Sequence, residues 1–321
     1  MPSLPTLAEI ESITGSIDTV VPPTPQFTWP LLNERAGTEV WVKHENHTAI
    51  GSFKIRGALH YLNRLVACEP GLPGVIAATR GNYGQAVAFA ARRHGLSATI
   101  VVPYGNSAEK NRAMRAQGAE LIEHGDDFQA AFEESGGLAK QRGLHAMAPF
   151  HRDLVQGIAV SALNFLRHCP PLDVVYVPVG MGSGACALIA ARDALKLPTK
   201  IVGVASDTAP AIALSFSARR VVVHSVATRI ADGIACSTPD PAALAFMLRG
   251  LERVVCVSDD ETEAAIRAYF ADTHNLAEGA AAAALAALLR ESSAHRGRRV
   301  GVVLTGGNVD APVFTRVLAT G

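Results

Sequence analysis

Short apolar runs alternate with amphipathic helical patterns along most of the chain after residue 73. The first part of this stretch reads as strand, helix, strand, helix and strand, in the segments GVIAAT, NYGQAVAFAARRHG, SATIVVP, SAEKNRAMRAQG and AELIEHG. The strand-like runs are continuously apolar, which is typical of strands in a parallel sheet that helices cover on both faces. The pattern therefore predicts βαβ units.

The same alternation continues in the second half of the chain. DVVYVPVG, KIVGVA, VVCVS and RVGVVLT read as strands. A helix of small residues is predicted from about residue 183 to 195, and a capping box at 258–261 predicts the start of another helix. We therefore expect an α/β fold of open, mostly parallel twisted sheets with helices on both faces, and ligands at the carboxyl ends of the strands. No repeat or linker marks a domain boundary, so the pattern alone leaves the number of domains open.

Composition narrows the class of protein. The 321 residues are 49% apolar and 18% charged, which fits one large globular domain or two of ordinary size. The 29 Lys and Arg residues balance 29 Asp and Glu residues, so no net charge attracts nucleic acid or an anionic membrane surface. The longest apolar run, residues 280–289, is too short to cross a bilayer. The N-terminal segment lacks the regions of a secretory signal, and we expect a cytoplasmic protein without nucleic-acid or membrane partners.

The cysteines and histidines do not indicate a disulfide or a metal site. Five widely spaced cysteines, with no C-x-x-C motif, suit reduced thiols in the core. They are Cys68, Cys169, Cys186, Cys236 and Cys256. His44 and His47 lack a spacing typical of metal ligands, and we interpret them as polar packing residues.

Two segments place polar residues at predicted helix starts. In GSFKIRGA, Lys54 lies just after Gly51 and Ser52. The exposed N–H groups of a first helical turn lower the pKa of an ammonium group, as a Schiff-base lysine requires, and a solvent-facing lysine is the alternative. In TRGNYGQ, glycines flank Asn82, and the N–H groups of the following helix favour an anion such as a carboxylate.

Two further segments close predicted strands. GMGSGA, residues 180–185, is a glycine-rich turn before a helix, and its successive N–H groups are typical of phosphate binding. It also fits G-x-G-x-x-A with Asp207 after the next strand, so an NAD-dependent oxidoreductase that uses Gly180, Gly182 and Asp207 stays an alternative. After the last strand, TGGN puts the hydroxyl of Thr305 where a ligand ring would meet a neutral hydrogen-bonding group.

Taken together and in this order, GSFKIRGA, TRGNYGQ, GMGSG and TGGN resemble the threonine/serine dehydratase branch of the pyridoxal-phosphate enzymes of fold type II, the tryptophan synthase β-like family. The resemblance runs from about Thr24 to the TGGN segment and beyond. Related sulfhydrylases and threonine synthases would carry Asp directly after the lysine, whereas Ile55 follows Lys54 here. The resemblance therefore implies the dehydratase branch, with pyridoxal 5'-phosphate as the cofactor.

The resemblance also implies a domain division and an assembly. A large cofactor-binding domain would consist of residues 1–73 and 150–321, and a small mobile domain of residues 74–149 would close over the substrate. The relatives suggest a homodimer.

Roles for single residues follow from the same resemblance. Lys54 would be the catalytic lysine that is joined covalently to the cofactor, Asn82 would bind the cofactor's 3'-oxygen, and Thr305 would face its pyridine nitrogen. The phosphate would be bound by Gly180, Met181, Gly182, Ser183 and Gly184. The substrate would be bound by Ser52, Thr79, Arg80, Asn82 and Tyr83.

The implied activity is that of an ammonia-lyase of the threonine dehydratase type. It eliminates the β-hydroxyl of an amino acid, threonine or serine by default, and gives a 2-oxo acid and ammonia. A neutral hydroxyl opposite the ring nitrogen makes the ring a weaker electron sink, which favours prompt loss of a β-substituent over transamination. The NAD-dependent oxidoreductase and a catalytically silent amino acid sensor on the same scaffold are the alternatives.

Arg80 departs from the usual pattern of this family. Relatives usually have a small residue at this position, and racemases of the group place a serine there that reprotonates the opposite face. Because a guanidinium group does not readily donate a proton, we expect negligible racemisation. Arg80 could instead pair with a second acidic group of the substrate, as in a 3-hydroxyaspartate, with an aryl-serine as the other variant substrate. The alternative is that Arg80 points away and pairs with a protein carboxylate.

Other departures from the family pattern concern ion binding and the TRGNYGQ turn. Ala205 stands where metal-activated relatives have a glutamate ligand, and Ala211 also lacks a carboxylate, so no magnesium site and no bound metal are expected there. Glu278 could line the site or hold a monovalent ion. Tyr83 replaces a histidine that is common in this turn, which leaves the role of its side chain open.

Overall fold

A computed structural model describes residues 3–320 of the chain, and within that range ten strands form two sheets. The larger sheet contains β1 (Gln26–Thr28), β2 (Glu39–His44), β7 (Val174–Pro178), β8 (Lys200–Ser206), β9 (Arg253–Val257) and β10 (Arg299–Leu304). The smaller sheet contains β3 (Gly74–Ala78), β4 (Ser97–Val102), β5 (Glu120–Glu123) and β6 (His145–Ala146).

Both sheets are almost entirely parallel. The strand order is β1-β2-β10-β7-β8-β9 in the larger sheet and β5-β4-β3-β6 in the smaller one. Only the pairing of β1 with β2 is antiparallel among the described strands. In the centre of the larger sheet, Val300 of β10 lies opposite Val40 on one side and Val174 on the other. The α/β fold with mostly parallel sheets, predicted from the continuous apolar runs, is confirmed.

Helices connect the strands and cover both faces of the larger sheet. They are α1 (Leu7–Asp18), α2 (Pro30–Ala36), α3 (Lys54–Cys68), α4 (Asn82–Arg93), α5 (Ala108–Ala116), α6 (Phe128–Arg142), α7 (Arg152–His168), α8 (Ser183–Ala194), α9 (Ala211–Ala218), α10 (Pro241–Gly250), α11 (Asp259–Thr273), α12 (Gly279–Arg290) and α13 (Ala311–Ala319). Successive residues of β7 point to opposite faces: Val175 packs in a core with α7 and α8, whereas Tyr176 packs in a second core with α11 and α12. The apolar run at 280–289 lies in α12.

Several predicted local features are present. The helix predicted from about 183 is α8, and the predicted capping box opens α11. The Ser258 hydroxyl accepts a hydrogen bond from the Glu261 N–H at 3.1 Å, and the Ser258 N–H donates to the Glu261 carboxylate at 2.8 Å. In the described part of the chain, no helix is both long and apolar enough for a membrane span.

The environments of the cysteines and histidines match the predictions in part. All five cysteines are free, and Cys186 and Cys236 are buried. The prediction of core thiols is wrong for Cys68, which is exposed because it is the last residue of α3. His44 accepts a hydrogen bond from the Trp29 indole at 3.1 Å, in agreement with a packing role.

A buried ion pair and a close helix crossing fix the first turn of α3. Arg56 Nε donates to Glu45 Oε2 at 2.9 Å, and Arg56 also donates to the carbonyl of Val21. Burial alone would raise the pKa of Glu45, but the Arg56 guanidinium holds this pKa below its usual value. A Cβ on Gly57 would lie 2.8 Å from the Leu154 carbonyl oxygen, so glycine permits the close approach of α3 to α7.

Side chains at the start of α5, in the smaller-sheet region, contact residues of the larger-sheet region. Lys110 Nζ lies 2.5 Å from an Asp232 carboxylate oxygen, and the Ser107 hydroxyl donates to Asp310 at 2.6 Å. All strands of the smaller sheet lie within residues 74–146, inside the segment predicted to form a small domain. The boundaries of that domain stay a prediction.

Candidate active site

A cavity of about 350 Å³ lies between the two halves of the molecule. It is bordered by the carboxyl ends of β3, β7 and β10 and by the first turns of α3, α4 and α8. This is the position at which parallel sheets bind ligands. All the site residues predicted from the sequence line the cavity, with the exception of Ser52. Ser52 is fully buried behind the lysine, and its hydroxyl oxygen lies 3.5 Å from the Lys54 backbone nitrogen.

Lys54 is the first residue of α3, and its side chain turns into the cavity. Its amine donates to the Ser183 hydroxyl at 3.3 Å and lies 4.9 Å from the centre of the Phe53 ring. Surrounding protein atoms exclude most water from the amine, and this burial, opposed by the Glu278 carboxylate, lowers the pKa of Lys54 to about 8. The lowered pKa leaves more of the amine neutral near pH 7 than in an ordinary lysine, which makes it a better nucleophile and base. The alternative of a solvent-facing lysine is wrong.

The glycine-rich turn between β7 and α8 has no room for side chains. A Cβ on Gly180 would lie 2.7 Å from the Gly233 carbonyl oxygen, and one on Gly182 would lie 2.9 Å from the Ala243 Cβ. Gly182 also has a φ of +94°, a conformation that favours glycine. No side chain caps α8, so its first N–H groups stay open towards the cavity and can bind an anion.

Asn82 is held by two residues that are distant in the sequence. Its side-chain oxygen accepts from Asn308 at 2.7 Å, and its amide nitrogen donates to Glu278 at 2.6 Å. An amide nitrogen carries two N–H groups, so one remains for a ligand. Sequence reasoning placed Glu278 only near the site and assigned no role to Asn308, although this asparagine ends the TGGN segment. The structure makes both of them positioning residues for Asn82.

Three hydroxyl groups of the cavity differ in whether a protein atom already shares a hydrogen bond with them: those of Thr79, Tyr83 and Thr305. The Thr79 hydroxyl accepts from the Gly81 N–H at 3.0 Å, and the Tyr83 hydroxyl donates to the Ala148 carbonyl at 2.6 Å. Each of these two hydroxyls therefore has one partner in the protein. Through its hydrogen bond, Tyr83 connects the first turn of α4 to the backbone at Ala148. Thr305 is largely buried but lines the cavity, and its hydroxyl has no hydrogen-bond partner among residues 3–320, so it can serve a ligand.

The first turn of α4 offers a second anion site. No side chain caps this helix, and the N–H groups of Asn82 and Tyr83 face no intrahelical acceptor. Arg80, just before this turn, is half-buried and lines the cavity. These two N–H groups could bind a carboxylate, and the predicted substrate-binding set stays a prediction.

The acidic residue on which the NAD-dependent alternative relies lies outside the cavity. Asp207, which a dinucleotide site would use, is exposed at the end of β8 and is outside the set of cavity-lining residues. Ala205 and Ala211 are buried. Across residues 3–320, no group of three or more His, Cys, Asp or Glu side chains could hold a metal ion.

Glu278 is a buried carboxylate that lines the cavity. Burial raises its pKa to about 7, although Lys110 and Lys54 act in the opposite direction. An acid whose pKa is higher in the folded state stabilises the fold at low pH, and this contribution is lost as pH rises from about 4.5 to about 7.

Glu278→Gln is therefore expected to raise the thermal midpoint of the ligand-free protein at pH 8 and to leave it nearly unchanged at pH 5. The shift corresponds to at most about 3 kcal/mol of unfolding free energy, because one pKa unit is about 1.4 kcal/mol. Thermal unfolding followed by circular dichroism between pH 5 and pH 8 measures it. Glu34→Gln, at an exposed position, is the control. An equal shift of Glu278→Gln at both pH values would contradict the elevated pKa.

The residues of the cavity suit pyridoxal 5'-phosphate. The open N–H groups of α8 match its phosphate, the Lys54 amine matches its aldehyde, and the free Thr305 hydroxyl matches its ring nitrogen. The glycine turn gives the strongest sign of fit, because a side chain at Gly180 or Gly182 would collide with neighbouring protein atoms and displace the turn whose N–H groups face the cavity.

Comparison with known proteins points to the same chemistry. A family model described as "Pyridoxal-phosphate dependent enzyme" matches residues 17–306. The chain is 31% identical to an L-threonine ammonia-lyase of Thermotoga maritima, across 98% of this chain and 79% of the relative. It is 28% identical to an L-threo-3-hydroxyaspartate ammonia-lyase of Saccharomyces cerevisiae, across 98% of this chain and 97% of the relative. A solved pyridoxal 5'-phosphate-dependent aspartate racemase has a TM-score of 0.89 at 30% identity, with 97% of this chain and 98% of that chain covered.

Proposed function

Because the chain belongs to the pyridoxal-phosphate dependent enzyme family, we propose that it eliminates the hydroxyl group of a β-hydroxy amino acid and releases a 2-oxo acid and ammonia. The cofactor is pyridoxal 5'-phosphate. Threonine and serine are the default substrates. The observation that carries the proposal is the meeting of the buried Lys54 amine, the open glycine turn and the uncharged Thr305 hydroxyl in one cavity.

Residues from both sheet regions hold the cofactor in this proposal: the glycine turn and Thr305 follow strands of the larger sheet, and Asn82 follows β3 of the smaller one. When bound, pyridoxal 5'-phosphate supplies a ring that withdraws electrons from the Cα of the amino acid. The first N–H groups of α8 would bind the phosphate, and the remaining N–H of the Asn82 amide would bind the 3'-oxygen. The Thr305 hydroxyl would serve the ring nitrogen without bringing a charge, which would keep the withdrawal moderate and favour loss of the β-hydroxyl over transamination.

Lys54 and the first turn of α4 act on the substrate. The N–H groups of Asn82 and Tyr83 bind the α-carboxylate and thereby orient the Cα–H bond. The Lys54 amine, with a pKa of about 8, takes the Cα proton onto Nζ. The proton taken up by Lys54 balances the one that the β-hydroxyl needs to leave as water: the electron pair of the Cα–H bond forms the Cα=Cβ bond, and the C–O pair departs with the oxygen. Addition of one water molecule to the released unsaturated amine then gives the 2-oxo acid and ammonia.

The domain division, the assembly and the compartment belong to the same proposal. Residues 74–149 form a small domain that closes over the substrate, and the four-stranded sheet within this segment supports it. The chain acts as a homodimer in the cytoplasm, where its five free cysteines stay reduced.

A substrate panel tests the proposed function. The purified holoenzyme is expected to release 2-oxo acid and ammonia in a 1:1 ratio from at least one of threonine, serine, threo-3-hydroxyaspartate and phenylserine. Alanine and 2-aminobutyrate, which lack a β-hydroxyl, are the controls and should release neither. Chiral chromatography should find the remaining L-substrate unracemised, because a guanidinium group at position 80 is a poor proton donor. A protein that carries the cofactor and releases no 2-oxo acid from any of the four would be a sensor, and the proposal would fail.

A further inference from the structure

The cavity wall contains several charged side chains, and most of them already have partners in the protein. Lys110 pairs with Asp232 at 2.5 Å. Asp240 accepts from two backbone N–H groups at the start of α10, at 2.8 and 2.9 Å. Glu278 accepts from the Asn82 amide. The remaining charged residues of the cavity wall are Lys54 and Arg80. In the proposed function, the Lys54 amine joins the cofactor.

Arg80 therefore stands out as a cation without an anion. Arg80 lines the cavity and is half-buried. Among residues 3–320, no carboxylate oxygen lies within 4.0 Å of its guanidinium, and no side chain or backbone oxygen accepts a hydrogen bond from it. The pairing with a protein carboxylate, considered as the alternative from the sequence, is absent. A guanidinium presents a planar fork of donors that matches a carboxylate in two parallel hydrogen bonds.

The other anions expected in the cavity have sites of their own. The cofactor phosphate fits the N–H groups at the start of α8, and the α-carboxylate fits those at the start of α4. The lining of the same cavity also includes the apolar residues Phe128, Phe132 and Met181. Apolar lining lowers the polarity of a cavity and strengthens the attraction between a guanidinium and an anion bound there.

We infer that Arg80 binds a second carboxylate of the substrate, so that the enzyme selects acidic β-hydroxy amino acids of the 3-hydroxyaspartate class over threonine and serine. The inference rests on the proposed function for the hydroxyl that is eliminated. It assigns to Arg80 the choice of substrate and no part in the chemical step. Aspartate and asparagine isolate this choice, because they have the same size, lack a β-hydroxyl and differ in the charge that Arg80 would contact.

The test measures binding of L-aspartate and L-asparagine to the holoenzyme through the change in visible absorbance of the cofactor. Wild type is expected to bind aspartate about tenfold or more tightly than asparagine. Arg80→Gln should weaken aspartate binding on the order of 10- to 100-fold and asparagine binding by less than about threefold, as for loss of a hydrogen-bonded charge. Arg80→Lys keeps the charge without the planar fork and should lie between the two. Arg93→Gln, at the exposed end of α4, should leave both constants unchanged.

Several outcomes would overturn the inference. Equal weakening of both ligands in Arg80→Gln would mean that Arg80 binds the α-carboxylate. Loss of the cofactor band would mean that it binds the phosphate, and unchanged binding would place it outside the substrate site. A preference for phenylserine over threo-3-hydroxyaspartate in kcat/KM would also contradict it. Release of no 2-oxo acid from any hydroxy amino acid, together with Arg80-dependent aspartate binding, would remove the proposed function and keep this inference.

Discussion

Lys54→Ala is expected to yield a colourless protein whose rate of 2-oxo acid release falls about 1,000-fold or more. The variant lacks the amine that joins the cofactor covalently, which is also the base that takes the Cα proton. A positioned base alone contributes a rate factor of about 100 to 10,000 in typical enzymes. Absorbance spectroscopy and borohydride treatment measure the covalent bond. In wild type, the visible band should vanish when borohydride reduces that bond.

Lys200→Ala is the matched control for the lysine variant. Lys200 begins β8 and forms an exposed ion pair with Glu252, away from the cavity. The control should keep the visible band and the activity. A yellow Lys54→Ala protein with a borohydride-sensitive band would show that another amine binds the cofactor, and the assignment of Lys54 would then be wrong.

Gly180→Ala is expected to weaken binding of pyridoxal 5'-phosphate on the order of 100-fold. The added Cβ would lie 2.7 Å from the Gly233 carbonyl oxygen, a contact that only a shift of the turn relieves. A shifted turn misaligns the N–H groups at the start of α8, and each hydrogen bond to a charged group contributes about 1.5–3 kcal/mol. Titration of the apoprotein with the cofactor, followed by absorbance, gives the dissociation constant.

A glycine with open space around it is the control for this variant. Gly136 lies within α6, and a Cβ there meets nothing within 4 Å. Gly136→Ala should bind the cofactor like wild type and should be equally stable or about 0.5–1 kcal/mol more stable. Cofactor affinity that survives in Gly180→Ala would mean that the phosphate does not use this turn.

The strands and the turns that follow them could be predicted because their signals are local. β3, β7 and β10 are largely apolar runs that are followed by turns rich in glycine, threonine or asparagine, and such runs can be found without knowledge of the rest of the chain. The helix start at Lys54 was visible for the same reason. By contrast, β1 has only three residues and forms the antiparallel edge of the larger sheet, and three residues are too few to show a period.

The partners of the site residues could not be predicted, since they depend on distant contacts. Asn308 and Asn82 are 226 residues apart in the sequence and join through one hydrogen bond. The raised pKa of Glu278 depends on its burial, which no local pattern reports. The isolation of Arg80 depends on the absence of any nearby carboxylate within the described chain, and only a three-dimensional arrangement can reveal it.

The close crossing of α3 and α7 at Gly57 has a consequence for how this scaffold diversifies. It packs α3, which carries Lys54, against α7 of the larger-sheet region, and this region also supplies the glycine turn and Thr305. Thr79 and Arg80 instead follow β3 of the smaller sheet. In the proposed mechanism, the base and the phosphate site thus belong to one part of the chain and Arg80 to the other. Because Asn82 at the start of α4 also serves the cofactor, Arg80 is the position at which we expect a single substitution to redirect the enzyme to new amino acids while the reaction persists.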